Sequence, residues 1–316
     1  PLPARLAIAA PQRQTLRYGE NPHQQAALYV DAGAAGGVAQ GRLLQGKELS
    51  FNNLVDLDAA WALAQEFEAP AVAIIKHTNP AGCATAGTLT EAYQRALACD
   101  PVSAYGGVIG LNRALDGEAA EAMSKLFLEC IVAPGFTPEA QARLAGKKNL
   151  RLLEVAAAAA APALRSISGG WLLQTPDDRL FASEPPSRVV SRRQPSSGEQ
   201  AGMRFGWAVA KHVKSNAIVF ARATAAAGET LAVGAGQMSR VDAVRIAGLR
   251  AQLPLAGSAV ASDAFFPFPD GIEEAARLGA TAVIQPGGSV HDADAIAACD
   301  RLDLAMVFTA MRHFRH

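Results

Sequence analysis

The sequence predicts an α/β fold, because short apolar runs alternate along it with alanine-rich helical stretches. The runs are bounded by turn residues, and continuous apolarity is typical of strands covered on both faces. They span residues 71–77, 106–112, 230–236, 258–263, 280–288 and 304–311. Between them, residues 54–67 and 239–253 repeat apolar side chains at helical spacing, with Ser239 as a candidate N-cap. Strands that alternate with helices indicate stacked α and β layers.

The composition limits the classes of partner. The 316 residues, 50% of them hydrophobic, are enough for two packed units. Lys plus Arg equals Asp plus Glu at 29 each, which predicts neither a nucleic acid polymer nor a membrane surface as partner. No apolar run is long enough for a transmembrane helix. The four cysteines lie far apart without a CxxC pair, which indicates reduced thiols in a cytoplasmic protein.

One segment reads as a connection between two halves of the chain. Residues 183–200 are rich in proline, serine and charge, and we place a domain boundary there, with units at 1–185 and 186–316. The alanine-rich stretch 155–163 is expected to be a surface segment. No internal repeat is apparent in the sequence.

Lys76 and His77 close the first predicted strand, where a cation and an imidazole are unusual. Neighbouring residues of a strand point to opposite faces, so a shared role needs a turn. The following TNPAG predicts one, with Asn79-Pro80 breaking the strand and Gly82 permitting unusual dihedrals. An imidazole could then accept a proton from a nucleophile while the ammonium stabilises a developing oxyanion. The alternative is a solvent-exposed lysine and a histidine bonded to backbone.

Five further segments could hold an anionic or planar ligand. Arg17, Tyr18 and His23 share one loop, where arginine offers a fork to phosphate, although an ordinary polar loop remains open. Asn216 lies where a helix predicted in 205–222 runs into a strand, as a possible amide clamp or a helix terminator.

The third of these segments, residues 231–247, reads as strand, glycine turn and helix, and its GxG with Arg240 indicates an anion site more than a dinucleotide site. Phe265, Phe266 and Phe268 follow among prolines, either as a clamp for a heterocycle or as core. The C-terminal run with Arg312 and His316 is solvated or, if ordered, a second anion fork. No metal-site pattern is visible, including the zinc deaminase HxE and PCxxC.

Nine stretches between residues 17 and 316 together resemble, in order, the signature blocks of the AICAR transformylase family. This family forms the formyl-transferring half of a bifunctional purine biosynthesis enzyme. The stretches read RYGENPHQ, GKELSFNNLVDLDAAW, IIKHTNPAGCA, DPVSAYGG, VAKHVKSNAIV, GAGQMSRVDAVRIAG, SDAFFPFPDG, IQPGGS and MRHFRH.

The resemblance implies formyl transfer from 10-formyltetrahydrofolate, as co-substrate, to the 5-amine of AICAR, without a catalytic metal. It also implies site residues, which by role are Lys76, His77 and Asn216 for catalysis, then Arg17, Tyr18, His23, Gly106, Glu129, Arg312 and His316 for AICAR, and Arg240, Phe265, Ser289 and Val290 for folate. The family's acid at Glu129 is Asp or Glu, so its role is less defined.

The resemblance further implies two cytidine-deaminase-like three-layer α/β units without the deaminase zinc. It implies a homodimer with active sites at the subunit interface. The family's IMP cyclohydrolase domain is not in this chain, so ring closure is expected to be absent from it. Two alternatives are a non-catalytic nucleotide- or folate-binding module on the same fold and a zinc-dependent nucleobase deaminase.

Overall fold

A mixed sheet of 12 strands runs through residues 2–182 and 188–316, the part of the chain that the computed structural model describes. The strands are β1 Gln12–Leu16, β2 Ala26–Tyr29, β3 Arg42–Gln45, β4 Ala71–Lys76, β5 Asn79–Thr85, β6 Gly107–Leu111, β7 Leu128–Ala133, β8 Arg151–Glu154, β9 Ala163–Ile167, β10 Gly170–Gln174, β11 Arg188–Val189, β12 Ile218–Ala223, β13 Gly228–Gly234, β14 Ser258–Ser262, β15 Ala280–Gln285 and β16 Ala305–Phe308. The pairs β1–β2 and β9–β10 form separate two-stranded sheets.

The helices pack on both faces of the large sheet. They are α1 Phe51–Ala64, α2 Leu89–Cys99, α3 Pro101–Ala104, α4 Gly117–Ser124, α5 Pro138–Leu144, α6 Ser197–Ala210, α7 Arg240–Arg250, α8 Asp270–Arg277 and α9 Asp292–Arg301, with a 3₁₀ turn at Val38–Gln40. The predicted α/β class is therefore confirmed in its coarse form, a large mixed sheet between helices.

The strand order repeats between two halves of the sheet. One half has the order β5-β4-β6-β7-β8-β3, and the other has β13-β12-β14-β15-β16-β11. In each half the first two pairs are antiparallel, the next two parallel and the outermost antiparallel. The halves join through antiparallel pairing of β5 with β13, so the parallel strands of the two halves run in opposite directions.

Three apolar clusters hold the layers together. Alternate residues of β4 divide between them, since Ala73 and Ile75 point into one cluster and Val72 and Ile74 into another. The first cluster lies under α1 and α6 and spans both halves of the sheet. The other two lie on the opposite face, under α2, α4 and α5 in one half and under α7, α8 and α9 in the other.

The six predicted strands are confirmed, but helix boundaries differ from the predicted ones. The first predicted helix begins three residues earlier, at Phe51, because Ser50 and Asn53 form a capping box. The helix predicted for 239–253 is α7, which begins after Ser239 and ends at Arg250. Ser239 occupies the N-cap position but makes no capping hydrogen bond through its side chain.

Of the predicted connection at 183–200, the structure describes residues 188–200. Residues 183–187, and with them the boundary between 185 and 186, lie outside the described residues, so the domain division stays a prediction. The rest of the segment is not a plain linker, because β11 and the first turn of α6 fall within it. Of the stretch 155–163 predicted to be a surface segment, residues 156–162 are exposed without regular structure, whereas Val155 is buried and Ala163 begins β9. The cytidine-deaminase-like description also stays a prediction.

Candidate active site

The segments singled out in the sequence meet at one end of the large sheet. The strand registers bring together the end of β4, the starts of β6, β7 and β12, and the ends of β13 to β16. Lys76 and Gly106 lie at this end in one half, and Asn216 and Arg240 lie there in the other. Two distant parts of the chain therefore contribute side chains to the same region.

His77 and Thr78 form the turn between β4 and β5, with φ angles of 52° and 62°. The prediction that Asn79-Pro80 makes the turn is wrong, because both residues already belong to β5. Gly82 is also inside β5, and a Cβ there would lie 1.9 Å from the carbonyl oxygen of Ala96. Its lack of a side chain serves the close approach of α2, not a turn. The tighter turn leaves His77 exposed at the end of the sheet.

Lys76 is held by backbone carbonyls and is not free in solvent. Its Nζ donates to the carbonyl oxygens of Tyr105, at 3.0 Å, and Gly106, at 2.9 Å. Gly106 has a φ of 66°, and a Cβ there would lie 3.0 Å from that Nζ. Two carbonyls leave one of the three ammonium protons for another acceptor. The ammonium is thus fixed in place with one donor position to spare.

Helix α1 gathers three of the predicted segments through polar side chains. Asn53 donates to Glu129 at 2.9 Å, and Asn52 donates to the carbonyl of Glu20 in the N-terminal loop at 3.3 Å. One turn later, Asp56 accepts the backbone N–H of Thr78 at 2.7 Å. Sequence reasoning assigned no role to these helix residues.

The environment of Asp56 is charged as well as partly buried. Burial raises the pKa of Asp56, while the N–H of Thr78 and the nearby His77 act in the opposite direction. Glu129 and Lys76 lie close enough to contribute with opposite signs. The only signal in the sequence was a pair of polar residues, Asn53 and Asp56, three apart on a helix that packs on the sheet.

Asn79 ties the two halves of the site together. Its Nδ2 donates to the carbonyl of His77 at 3.2 Å, and its Oδ1 accepts the N–H of Lys214 at 3.0 Å. Lys214 lies two residues before Asn216, so the lysine–histidine turn sits beside the start of β12. Asn79 and Lys214, which are more than a hundred residues apart in the sequence, are therefore neighbours in the fold.

Asn216 and Arg240 bind each other, and a buried aspartate anchors the arginine. Arg240 donates to Oδ1 of Asn216 at 2.7 Å and to Asp263 at 2.6 Å. The amide of Asn216 donates to the carbonyls of Gln237 and Met238. Arg240 is therefore buried and paired, unlike the open cation that the sequence suggested. Asp263 was missed, although its place directly after an apolar strand was a signal.

A cavity of about 370 Å³ opens beside this pair. Phe265 and Arg312 line it together with Asn216 and Arg240. The three phenylalanines of the loop divide between the two predicted alternatives, since Phe266 is buried core and Phe268 is exposed. Lys76 and His77 are not among the residues that line this cavity.

A second cavity, of about 690 Å³, shares Phe265 and Arg312 with the first. Gly287, Gly288 and Asp292 form another part of its wall. The loop residues Ser289 and Val290 come directly after these glycines. Ser289 is held by Asp292 through its backbone N–H, whereas Val290 is 95% exposed.

The C-terminal run is anchored to the body of the protein. His313 is buried, contacts Asp177 through Nδ1 at 2.7 Å and packs against Trp207 in a tilted arrangement with ring centroids 5.0 Å apart. Its neighbour Arg312 is exposed and stacks over Phe314 at 4.4 Å. His316 is exposed and meets the edge of the same ring. The C-terminal run is therefore not a frayed tail, and its role as an anion fork stays a prediction.

The N-terminal loop forms a separate recess. Arg17 and His23 line a cavity of about 800 Å³ against β1 and β2. The guanidinium of Arg17 lies 4.9 Å from the centre of the Tyr18 ring. Within one chain, this recess and the cavity at Arg312 are distinct, so the structure does not bring all the predicted AICAR residues together.

The described residues show neither an assembled metal site nor a membrane-spanning helix. No group of three or more His, Cys, Asp or Glu within residues 2–182 and 188–316 is arranged to hold a metal ion. In the same ranges, no helix has the length and apolarity needed to cross a bilayer. All four cysteines are free and buried. Burial raises the pKa of Cys99, Cys130 and Cys299 to about 12, which favours inert thiols.

Comparison with known proteins gives one consistent result. Residues 1–250 match the family model described as AICARFT/IMPCHase bienzyme. The chain is 54% identical to the "Bifunctional purine biosynthesis protein PurH" of Roseobacter denitrificans, over 99% of this chain and 62% of that protein. Proteins of the same name from Desulfitobacterium hafniense and Myxococcus xanthus are each 54% identical over 100% of this chain and 61% and 62% of their own length. The chain thus spans less than two thirds of these relatives.

Proposed function

The chain belongs to the AICARFT/IMPCHase bienzyme family, and we propose that it transfers a formyl group from 10-formyltetrahydrofolate to the 5-amine of AICAR in purine biosynthesis. The products would be FAICAR and tetrahydrofolate. The observation that carries the proposal is the pairing of a fixed ammonium, Lys76, with an exposed imidazole, His77, at the end of the sheet where the other predicted site segments meet.

The reaction needs both groups. The amine of AICAR is a weak nucleophile, because its lone pair is delocalised into the ring. A base must take its proton as it attacks the formyl carbon, and we assign this role to His77. The formyl oxygen gains negative charge in the tetrahedral intermediate, and the spare donor of Lys76 would stabilise it. Collapse of the intermediate then breaks the bond between the formyl carbon and N10 of the folate, and N10 takes the proton from His77 and leaves as tetrahydrofolate.

The other residues supply binding. Arg17 and Arg312 are exposed cations suited to the AICAR phosphate, and Phe265 offers a ring face to the flat folate. Arg240 is paired inside the protein, so its proposed part in folate binding is to shape the cavity wall through Asn216.

We further propose a homodimer, in which a second copy completes the site. The separation of the Arg17 recess from the Arg312 cavity within one chain supports this arrangement. Free, buried cysteines suit a reducing compartment, which supports a cytoplasmic location.

The test is an assay of the purified chain with AICAR and 10-formyltetrahydrofolate, followed by the formation of tetrahydrofolate. His77→Ala is expected to abolish turnover and to leave AICAR binding, measured by calorimetry, largely intact. Turnover at the normal rate in that variant would contradict the role of His77. AICAR binding by the unaltered chain without any turnover would instead favour a non-catalytic binding module.

A further inference from the structure

The turn that presents His77 has an unfavourable backbone. His77 and Thr78 both lie in the left-handed region, with φ of 52° and 62°. Glycine is the usual residue there, and a β-branched residue such as threonine is a clear outlier. Two consecutive non-glycine residues keep this strained conformation only when the surrounding structure holds it in place. The turn must therefore be fixed by groups outside it.

Two side chains hold the turn from opposite sides. Asp56, on α1, accepts the N–H of Thr78 at 2.7 Å. Asn79 donates to the carbonyl of His77 at 3.2 Å and is itself fixed by the N–H of Lys214. The hydrogen bond to Asp56 is the shorter one and has an ionisable acceptor, so it is the stronger of the two restraints.

We infer that Asp56 is a positioning residue, whose carboxylate fixes the left-handed turn at residues 77–78 and so sets the direction of the His77 imidazole. The inference rests on the proposed function, in which His77 is the proton acceptor. Asp56 itself contacts the Thr78 N–H, not the reacting atoms. Its mutation would act on turnover through the geometry of the turn.

A different role for Asp56 would be electrostatic. Its carboxylate lies near His77, Lys76 and Glu129, so its charge could act on the imidazole directly. Asp56→Asn separates the two roles, because the amide oxygen still accepts the N–H of Thr78 while the charge is lost. Asp56→Ala removes both.

The first experiment compares these variants in the formyl-transfer assay. Asp56→Ala is expected to lower kcat by about 10- to 100-fold, as a small misplacement of a reacting group does. Asp56→Asn should keep kcat within about threefold of the parent, with the same shape of pH profile. Asp58→Ala is the matched control, since this exposed aspartate of the same helix makes no hydrogen bond with residues 77–79, all of which the structure describes.

The second experiment is a rescue. Thr78→Gly lets residue 78 adopt a positive φ without steric cost. The double variant Asp56→Ala/Thr78→Gly is expected to have a kcat at least about threefold higher than that of Asp56→Ala alone. Urea unfolding of each variant, measured beside kcat, separates this rescue from a global change in stability, because glycine relieves backbone strain but also raises the entropy of the unfolded chain.

The third experiment does not depend on activity. The Cε1–H signal of His77 in an NMR spectrum of the whole chain, assigned with His77→Gln among the six histidines, reports the surroundings of the ring. It should move in Asp56→Ala and stay in place in Asp56→Asn. If the unaltered chain shows no formyl transfer, the proposed function fails and this measurement still decides the positioning role.

Either of two results would overturn the inference. One is Asp56→Ala with unchanged kcat and an unchanged His77 signal. The other is Asp56→Asn that is as impaired as Asp56→Ala, which would assign the effect of Asp56 to its charge.

Discussion

The hydroxyl of Thr230 lies between the two backbone groups of Cys83, accepting from the N–H at 2.9 Å and donating to the C=O at 3.2 Å. Thr230 belongs to β13 and Cys83 to β5, the strands that join the two halves of the sheet. The backbone pairing of the two strands covers two residue pairs, Gly228 with Thr85 and Glu229 with Ala84. A side chain thus extends the junction where the backbone ladder stops.

Thr230→Val should destabilise the protein by about 1–3 kcal/mol, because it leaves two buried backbone groups without a partner. The free energy of unfolding in urea measures the loss. Thr230→Ser keeps the hydroxyl and is the matched control, with a smaller expected effect. If the valine variant and the parent have the same free energy of unfolding, the hydrogen bonds of this hydroxyl do not contribute to stability.

Lys76→Met should lower turnover by at least about 100-fold, as removal of a donor to a developing oxyanion does. The side chain keeps its length and apolar stem but loses the ammonium. Lys147→Met, at an exposed lysine, should leave turnover unchanged. Steady-state kinetics with AICAR and 10-formyltetrahydrofolate provides the readout. A loss confined to KM would assign Lys76 to binding only.

Asp263→Ala should lower the free energy of unfolding by about 3–5 kcal/mol, because it leaves Arg240 as a buried charge without its carboxylate partner. Asp263 is fully buried and lies 2.6 Å from the guanidinium of that arginine. In the double variant with Arg240→Met, the loss should be smaller than the sum of the single losses. Additive losses in thermal or urea unfolding would argue against the pairing.

Glu199 should make stability depend on pH in the acid range. It forms a fork with Arg193 and caps α6 with Ser196, and these bonds outweigh burial and lower its pKa from 4.5 to about 2. Since the pKa is lower in the folded state, the stabilisation is present above about pH 4.5 and is lost as the pH falls towards 2. The shift corresponds to about 3 kcal/mol at most.

Glu199→Gln should flatten this part of the pH dependence in urea unfolding measured between pH 6 and 3. Glu118→Gln, at an exposed glutamate in the first turn of α4, is the control and should keep the slope of the parent. The same slope in the Glu199 variant would contradict the assignment.

Much of the fold was predictable because the buried strands are continuous apolar runs. β5 was not recognised, since Pro80 and Gly82 resemble turn residues. Pro80 is tolerated at the second position of the strand, and Gly82 is required by the carbonyl of Ala96, 14 positions away. Such an approach between distant residues leaves no local signal.

The candidate site was predictable where side-chain chemistry stands out, as at Lys76 and His77. Asp56 was missed because its partner is a backbone N–H, which has no signature in a sequence. The pairing of Arg240 was missed for a related reason. A cation after a glycine turn suggests a ligand, and only the fold shows that Asp263 already occupies it.

Because β5 pairs with β13, each half of the sheet covers a strand edge of the other half. If the halves were expressed separately, β5 and β13 would each become a bare edge strand with unpaired N–H and C=O groups. Such edges invite pairing with other chains, so the separate halves would tend to aggregate, however complete their own cores. A cut within the connecting segment, with both pieces kept together, would leave that edge covered.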